Sequence, residues 1–321
     1  MDRRANLTKW FATATAIGMF IVLLMGARVT ATGSADGCGN DWPLCNGSWL
    51  PADTYESLTE YSHRFVTGIE GMLVLGTTLL AWPMRRKHPS FILLVPAMAG
   101  TLVLQSLMGA AAVKWPTSAK VMATHFGISL VCLASAALLA RVLYLDEHTD
   151  DDRLRRHHAV PNNYRLFAAA TIVVSVIVAY AGAYVRHTGA ELACTSWPTC
   201  NGEVIPSFTG LEGIQTWHRL SALVISVMLV ILLAWSFKLR TERQDLFVLS
   251  VLAMTLVLVQ SAIGGIVVYS GLQLLATLAH AGVMAMLFVV LCEVTRSVWP
   301  ERVHQIETRS QPSIAAQPTG D

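Results

Sequence analysis

The sequence predicts an all-α integral membrane protein with eight transmembrane helices, arranged as two four-helix halves. Three observations predict this fold class: a strongly apolar composition, eight long apolar segments and an internal repeat. Of the 321 residues, 54% are hydrophobic and only 14% are charged, and the mean hydropathy is +0.51. Soluble domains usually carry about 25% charged residues, so this chain lacks the polar surface that solubility in water requires.

The apolar residues are gathered into long segments instead of being spread along the chain. Each segment approaches or exceeds the ~20 residues that a helix needs to cross ~30 Å of hydrocarbon with its backbone groups satisfied internally. We predict spans at residues 10–32, 59–82, 91–113, 119–145, 164–187, 214–237, 246–269 and 274–298.

The basic residues indicate the orientation of these spans. They lie near both termini and in every second connection, whereas the connections at about 33–58, 188–213 and 270–273 hold no Lys or Arg. The turn at 114–118 holds only Lys114. The positive-inside rule therefore predicts a multi-pass protein of the cell membrane with both termini in the cytoplasm. Basic residues that follow membrane topology in this way do not indicate nucleic-acid binding.

The two halves of the sequence repeat each other. Residues 26–33 line up with residues 182–189, and residues 38–47 with residues 194–202. The offset is 156 residues before the loop cysteines and 155 after them, so a single one-residue deletion relates the halves. The later register pairs His63-Arg64 with His218-Arg219, Gln105 with Gln260, Gly109 with Gly264, and His125 with His280.

The repeat divides the chain. Because each half has four spans, an even number, both halves insert with the same orientation and are related by an axis along the membrane normal. We predict an N-terminal half at residues 1–145, a cytoplasmic linker at 146–163, a C-terminal half at 164–298 and a disordered cytoplasmic tail at 299–321.

Four repeated histidines are candidate ligands of haem iron. His63 and His125 are 62 residues apart, as are His218 and His280, and all four lie about five or six residues below the outer end of a span. At 1.5 Å per residue they lie ~8–9 Å deep, so the two members of a pair can face each other across a planar ligand. Haem iron takes axial imidazoles, whereas zinc needs three or four clustered ligands. A hydrogen bond to a neighbouring helix is the alternative role for a membrane histidine, and the repetition of two pairs at identical spacing favours iron ligation.

Other polar residues near the outer ends leave two interpretations open. His187 stands where the first half has Ala31, and it could contact a haem edge or simply lie at the membrane interface. The basic side chains at this level could pair with haem propionates or extend to the interface. These side chains are Arg28, Arg64, Lys114, Lys120, Arg186 and Arg219.

Each long outer loop carries two cysteines, Cys38 with Cys45 and Cys194 with Cys200. The outer compartment permits disulfides, and the short spacings allow small loops to close. Two structural disulfides that fasten the loops as lids are one interpretation, and a redox-active pair is the other. Cys132 and Cys292 have no repeat partner, and we expect them to be buried as small apolar residues.

Glu60 marks a difference between the halves, because Gln215 occupies the equivalent position. Glu60 lies one turn before His63 and shares its helix face. A carboxylate at this place is costly unless it has a task or a partner, so acid–base catalysis is one interpretation. The other is structural: Ser57 to Glu60 matches a capping box, and Arg64 is placed for an ion pair.

These residues together resemble the haem A synthase family over residues 10–298. The resemblance rests on Glu60-Tyr-Ser-His63-Arg64, His125, Thr216-Trp-His218-Arg219, His280 and the paired loop cysteines. It implies two four-helix bundles related by pseudo-twofold symmetry, and oxidation of a methyl group of haem O to a formyl group by successive hydroxylations.

The resemblance also implies roles for individual residues. His218 and His280 would bind haem b as a cofactor, and His63 and His125 would receive the substrate haem O. Glu60, Cys38 and Cys45 would be the catalytic residues. A haem O synthase, an assembling terminal oxidase and an electron acceptor that the sequence does not identify would be the partners.

Three other functions fit parts of the pattern. A diheme electron-transfer cytochrome linked to quinol would carry the same four histidines, but it gives no reason for the Glu60/Gln215 difference. A membrane thiol oxidoreductase would work through the loop cysteines. A haem carrier would bind haem and release it unaltered.

Overall fold

The computed structural model describes residues 3–115, 117–145, 160–204 and 206–299. Within these ranges the chain forms eight helices that are long and apolar enough to cross a membrane, which confirms the predicted fold class. The helices are α1 (Arg3–Ala31), α2 (Tyr55–Ala81), α3 (Phe91–Lys114), α4 (Ala119–Leu145), α5 (Asn162–His187), α6 (Gly210–Lys238), α7 (Gln244–Tyr269) and α8 (Leu274–Val298). The only extended pairings among the described residues are two isolated bridges, Cys45 with Ser48 and Cys200 with Glu203.

The helices extend beyond several of the predicted spans. Helix α1 begins at Arg3 instead of residue 10, and α2 begins at Tyr55 and continues into a 3-10 turn, Trp82–Arg86. Hydropathy detects only the part of a helix that lies in hydrocarbon, whereas the helix itself continues into the polar interface. The predicted linker at 146–163 and tail at 299–321 lie mostly outside the described residues.

The helix contacts repeat across the two halves. Helices α1 to α4 form a closed ring in which each contacts the next and α4 returns to α1, and α5 to α8 form an equivalent ring. The rings meet through α1 and α4 of the first and α5 and α8 of the second. The contact of α1 with α8 is equivalent to that of α5 with α4. This pattern supports our proposed division into two four-helix halves.

The outer surface of the rings is apolar. Large side chains on α2 and α6 are exposed, among them Leu75, Leu79 and Leu223, and they would face lipid. We call the end of the molecule that carries the long connections at 32–54 and 188–209 the loop side. The opposite end, which carries Lys9 and Lys238, is called the basic side.

Candidate functional site

A cavity of about 1470 Å³ lies between helices of both halves and extends to the loop side. Ligand pockets commonly measure about 300–1,000 Å³, so this one exceeds the size that a small metabolite needs. All four repeated histidines line it: His63, His125, His218 and His280. Most of the remaining lining is apolar, as a membrane-embedded site for a large planar ligand requires.

In the first half, each histidine packs against a glycine on the neighbouring helix. A Cβ atom added to Gly26 of α1 would lie 3.2 Å from Cε1 of His63 on α2. A Cβ atom added to Gly109 of α3 would lie 3.6 Å from Cε1 of His125 on α4. The absence of a side chain at these positions lets the imidazole rings lie against a helix backbone.

The second half repeats the arrangement more tightly. A Cβ atom on Gly182 of α5 would lie 2.9 Å from Cε1 of His218, and one on Gly264 of α7 would lie 3.2 Å from Cε1 of His280. Real Cβ atoms essentially never approach another heavy atom within 3.0 Å, so an alanine at Gly182 would displace the ring. The glycines are therefore part of the histidine sites in both halves.

Each of the four histidine rings has a buried nitrogen without a well-aligned hydrogen-bond partner in the described part of the chain, although His218 and His280 lie close to the backbone of Val178 and Gln260. In each of the four, Nδ1 is buried and has no hydrogen-bond partner among the described residues. Buried polar atoms are nearly always paired, so an unpaired imidazole at a cavity wall points to a missing ligand. The paired imidazoles, the apolar walls and the size of the cavity fit haem. No three His, Cys, Asp or Glu side chains cluster within the described ranges, so the zinc alternative has no donor set there.

Glu60 is buried at the loop side of the cavity and is fully paired. Its Oε1 accepts a hydrogen bond from Nη2 of Arg64 at 2.5 Å, and its Oε2 accepts one from the backbone N–H of Cys38 at 2.8 Å. The ion pair with Arg64 is present, but the predicted capping box is wrong. Thr54 is the N-cap of α2, because the helix begins earlier than the box would place it, and its hydroxyl accepts from the backbone N–H of Ser57.

Gln215 holds the equivalent place in the second half. Its Oε1 accepts a hydrogen bond from Nε of Arg219 at 3.2 Å, and its Nε2 donates to the carbonyl oxygen of Glu191 at 2.5 Å. Both Glu60 and Gln215 line the cavity. Each also connects the arginine four residues later on its helix, Arg64 or Arg219, to an outer loop. The two halves thus differ here by one ionisable group within a shared architecture.

The arginines after the α2 and α6 histidines fasten the outer loops. Arg64 donates to the carbonyl oxygens of Asp41 at 2.7 Å and Leu44 at 2.9 Å. Arg219 donates to the carbonyl oxygens of Ser196 at 2.9 Å and Thr199 at 2.7 Å. Both arginines line the cavity, so they also stand where an anionic group of a ligand could be bound.

The other predicted basic residues are placed differently. Arg186 lines the cavity, whereas Arg28 donates to the hydroxyl of Tyr55 at 3.4 Å and contacts its ring. Neither Lys114 nor Lys120 is among the described residues that line the cavity.

The C-terminal half reaches across to the first half at the loop side. Arg186 forms an ion pair with Glu191 at 2.5 Å, and its Nη2 donates to the carbonyl oxygen of Thr30 at 3.0 Å. Thr30 is the repeat counterpart of Arg186. His187, the next residue, lines the cavity as well. The two histidine pairs therefore border one continuous space with walls from both halves.

Both pairs of loop cysteines form disulfides. The S–S distance is 2.11 Å for Cys38–Cys45 and 2.00 Å for Cys194–Cys200, and all four residues are buried. Cys38 is the residue whose backbone N–H binds Glu60, so the carboxylate is hydrogen-bonded to the backbone of a disulfide-bonded residue. Cys200 lines the cavity.

The two remaining cysteines among the described residues, Cys132 and Cys292, are unpaired. Cys132 is fully buried, as predicted, and Cys292 is only partly so.

Sequence reasoning missed part of this site. The sequence repeat aligns Gly26 with Gly182 and Gly109 with Gly264, but it did not indicate that each glycine packs against a histidine ring. Glu191 has no equivalent in the first half, where Ala35 stands, and nothing in its local sequence indicated that it would bind Arg186.

Comparison with known proteins places the chain in a family. The family described as cytochrome oxidase assembly protein (COX15-CtaA) matches residues 50–292. The chain is 37% identical over 289 residues to the heme A synthase of Shouchella clausii, covering 88% of this chain and 94% of that relative. It is 37% identical over 314 residues to the heme A synthase of Geobacillus thermodenitrificans, covering 96% and 94%. The chain belongs to the haem A synthase family.

Membership of the haem A synthase family confirms the resemblance carried by the histidine, glutamate and cysteine motifs. It means that a haem-related substrate or cofactor has to be accommodated.

Proposed function

We propose that this chain is a haem A synthase, an oxidoreductase that converts a methyl group of haem O to the formyl group of haem A. The conversion proceeds by successive hydroxylations, with loss of water from the diol. One observation carries the proposal beyond family membership: two equivalent histidine pairs border one cavity, but the position one helical turn before the first histidine is a carboxylate, Glu60, only in the first half, where the second half has Gln215.

This asymmetry supports different roles for the two pairs. His63 and His125 would hold the substrate haem O, and Glu60 lines the same cavity one helical turn before His63. His218 and His280 hold haem b in the half where Gln215 replaces the carboxylate. When bound, a haem supplies one-electron redox chemistry at its iron. The chain supplies position, walls that exclude water and the groups that manage protons.

Glu60 is the proposed catalytic acid–base group. Its two oxygens are fixed by Arg64 and by the backbone of Cys38, so the carboxylate keeps one orientation at the cavity wall. A carboxylate held in this way can accept a proton from the reacting group, or stabilise positive charge that develops on the methyl carbon.

The Cys38–Cys45 disulfide is proposed to act through Glu60. It closes the loop whose backbone N–H binds the carboxylate, and Arg64 fastens the same loop through Asp41 and Leu44. The Cys194–Cys200 disulfide and Arg219 would fasten the second loop in the same way. A redox role for Cys38 and Cys45 is the competing proposal, and the two are separated experimentally below.

The cellular setting is proposed on the charge distribution and the family. The basic side faces the cytoplasm, which places both termini there and the disulfides outside the cell membrane. A haem O synthase supplies the substrate, a terminal oxidase under assembly receives the product, and a separate acceptor takes the electrons.

Haem extraction from the purified protein tests the proposal. The protein is expressed with and without a haem O synthase, and the haems are extracted with acid–acetone and separated by chromatography. Haem O and haem A alongside haem B on co-expression support the synthase. Haem B alone under both conditions, at full occupancy, would indicate a diheme electron carrier, and haem O without haem A would indicate a haem carrier.

A thiol oxidoreductase gives a different result in the same system. Its thiol activity would be abolished by Cys38→Ser and would survive replacement of the histidines. For the synthase, replacement of His63 or His125 should abolish haem A formation.

A further inference from the structure

Glu70 is a buried acid that the proposed reaction does not use. It lies in the middle of α2, seven residues after His63, and is 1% exposed. At 1.5 Å per residue it lies about 10 Å deeper in the membrane than that histidine. Neither of its carboxyl oxygens has a hydrogen-bond partner among the described residues.

A buried acid without a hydrogen-bond partner destabilises the folded state. An unpaired polar group costs several kcal/mol in an apolar environment, and an isolated carboxylate costs far more. Ionisable residues within transmembrane segments therefore usually mark proton or ion pathways. The chain also makes room for this one: a Cβ atom on Gly18 of α1 would lie 1.9 Å from Oε2 of Glu70, so the carboxyl occupies the space that a side chain would fill.

The repeat shows that the fold does not require the acid. Glu70 corresponds to Ile225, which is also buried, and Gly18 corresponds to Val174. The second half thus fills the same position with two apolar side chains in place of a carboxyl and a glycine. The first half therefore has a carboxyl group where the second half has apolar packing. Position 60 shows a similar difference, with a glutamate in the first half and Gln215 in the second.

The wall of the cavity reaches the level of Glu70 on α2. Thr67 and Gly71, on either side of Glu70 along α2, line the cavity, so the cavity floor reaches the level of the acid. Gln105 of α3 also lines it, and its Oε1 is buried without a partner. Its Nε2 lies 4.0 Å from Sδ of Met19, the residue next to Gly18. Glu70 and Gln105 therefore reach α1 at adjacent residues.

Hydroxyl groups continue on the opposite side of Glu70. Thr15 lies one helical turn below Gly18 on the same face of α1, and its hydroxyl is 2.7 Å from that of Thr77 on α2. Both threonines are fully buried. Thr8, two further turns toward the basic side, is also fully buried. The second half keeps a hydroxyl at two of these positions, since Thr15 corresponds to Thr171 and Thr8 to Tyr164, but Thr77 is replaced by Leu232. The close Thr15–Thr77 hydroxyl pair therefore belongs to the first half alone.

We propose that Glu70 is a proton-exchange site of the N-terminal half: a neutral carboxylic acid that passes protons from the cavity to the Thr15–Thr77 hydroxyls and on toward the basic side. The acid gives its proton to the hydroxyl side, and the resulting carboxylate takes the next proton from the cavity side. Only a proton moves through Glu70, and no electron is transferred. The use of this site rests on the proposed function, because oxidation of a methyl group by that reaction releases protons into the cavity, while the electrons go to the separate acceptor, and Glu70 would give these protons a route toward the basic side.

Infrared spectroscopy of the purified full-length protein tests the site without turnover. The difference between the wild type and Glu70→Gln isolates the C=O stretch of the protonated acid. We expect this band in the wild type, and we expect it to shift when the protein is transferred to D₂O. A missing band, or a band that does not shift within hours, overturns the proposal because the acid is then ionised or sealed.

The route is tested with a matched pair of variants. The double variant Thr15→Val/Thr77→Val should slow the shift of the C=O band of Glu70 in D₂O. Thr171→Val changes the repeat counterpart of Thr15 in the second half and should leave the rate at the wild-type value. Equal exchange rates in all of these proteins would overturn the proposed direction through Thr15 and Thr77.

Haem A formation tests the use of the site. Glu70→Gln is the first variant to be assayed. If it fails to accumulate, the double variant Gly18→Val/Glu70→Ile replaces it, because this variant copies the packing of the second half. Haem content should be retained, while haem A formation falls about 100-fold, the lower end of what a positioned acid–base group contributes. Haem A at the wild-type rate in this variant overturns the relay. If the wild type makes no haem A, the proposed function fails while the infrared band still reports on Glu70.

Discussion

Glu60 and Arg64 form an ion pair at 2.5 Å, and the same two positions in the second half are Gln215 and Arg219, with 3.2 Å between Oε1 and Nε. Each acceptor also binds the backbone of the loop above it, through Cys38 in one half and Glu191 in the other. An amide therefore holds an arginine and a loop as a carboxylate does. What the amide lacks is a charge and the ability to exchange a proton, so the difference between the halves at this position is chemical.

The first prediction follows from this pair. Glu60→Gln copies the second half, so the loop and the haem should be retained while haem A formation falls about 100-fold or more, as for loss of an acid–base group. The measurement is the ratio of haem A to haem O after co-expression with a haem O synthase. Glu242→Gln is the control, because Glu242 is an exposed acid in the connection between α6 and α7, on the basic side. Normal haem A formation in Glu60→Gln, with failure only in Glu60→Ala, would show that Glu60 merely holds the loop.

The second prediction concerns the glycines beside the histidines. Gly182→Ala places a Cβ atom 2.9 Å from the ring of His218 and should weaken haem binding there by about 1–3 kcal/mol, the usual cost of overpacking. Gly26→Ala and Gly264→Ala, at 3.2 Å, should have smaller effects, and Gly109→Ala, at 3.6 Å, should bind haem as the wild type does. Haem per protein and the low-spin visible spectrum measure the series.

The control for this series is Gly127→Ala on α4, where an added Cβ atom would meet nothing within 4 Å. The order of effects is the decisive result. If Gly109→Ala loses as much haem as Gly182→Ala, contact with the imidazole is not what these glycines provide.

The third prediction concerns the second loop. Arg219 donates to the carbonyl oxygens of Ser196 and Thr199, and hydrogen bonds from a charged group contribute about 1.5–3 kcal/mol each. Arg219→Gln should therefore lower the unfolding temperature in detergent and speed proteolysis within residues 188–209. Arg240→Gln is the control, because Arg240 contacts the carbonyl oxygen and the ring of Phe237, which lies on the basic side and not in an outer loop. Unchanged proteolysis in Arg219→Gln would mean that the disulfide alone holds the loop.

The sequence predicted the eight helices because burial in hydrocarbon leaves a long, one-dimensional signal. It predicted the candidate ligands because the repeat fixes His63 and His125 at the same spacing as His218 and His280. Helix ends were predicted less well. Helix α1 starts seven residues before the predicted span, because polar residues continue a helix at the interface without a hydropathy signal.

Contacts between distant residues could not be predicted. The sequence placed Glu60 next to Arg64, since four residues separate them on a helix, but it could not show that Oε2 binds Cys38. That contact depends on how a loop of irregular backbone folds over the helix. That Glu70 has no hydrogen-bond partner among the described residues is likewise a property of three-dimensional packing, and its local sequence gives no sign of it.

The final prediction separates the two roles of the first disulfide. Replacing both Cys38 and Cys45 by serine should cost about 2–4 kcal/mol of stability and release the backbone that binds Glu60, so haem A formation should fall. Haem bound by His218 and His280 should remain. The matched variant, with Cys194 and Cys200 replaced, should affect the second loop and its haem instead.

Proteolysis within residues 33–54 distinguishes fastening from electron transfer in these cysteine variants. If the disulfide fastens the loop, haem A formation and resistance to proteolysis fall together. If the cysteines carry electrons, haem A formation is lost while the loop stays resistant. Because Cys38 and Cys45 are buried and Cys38 binds Glu60 through its backbone, we expect the two losses to be linked.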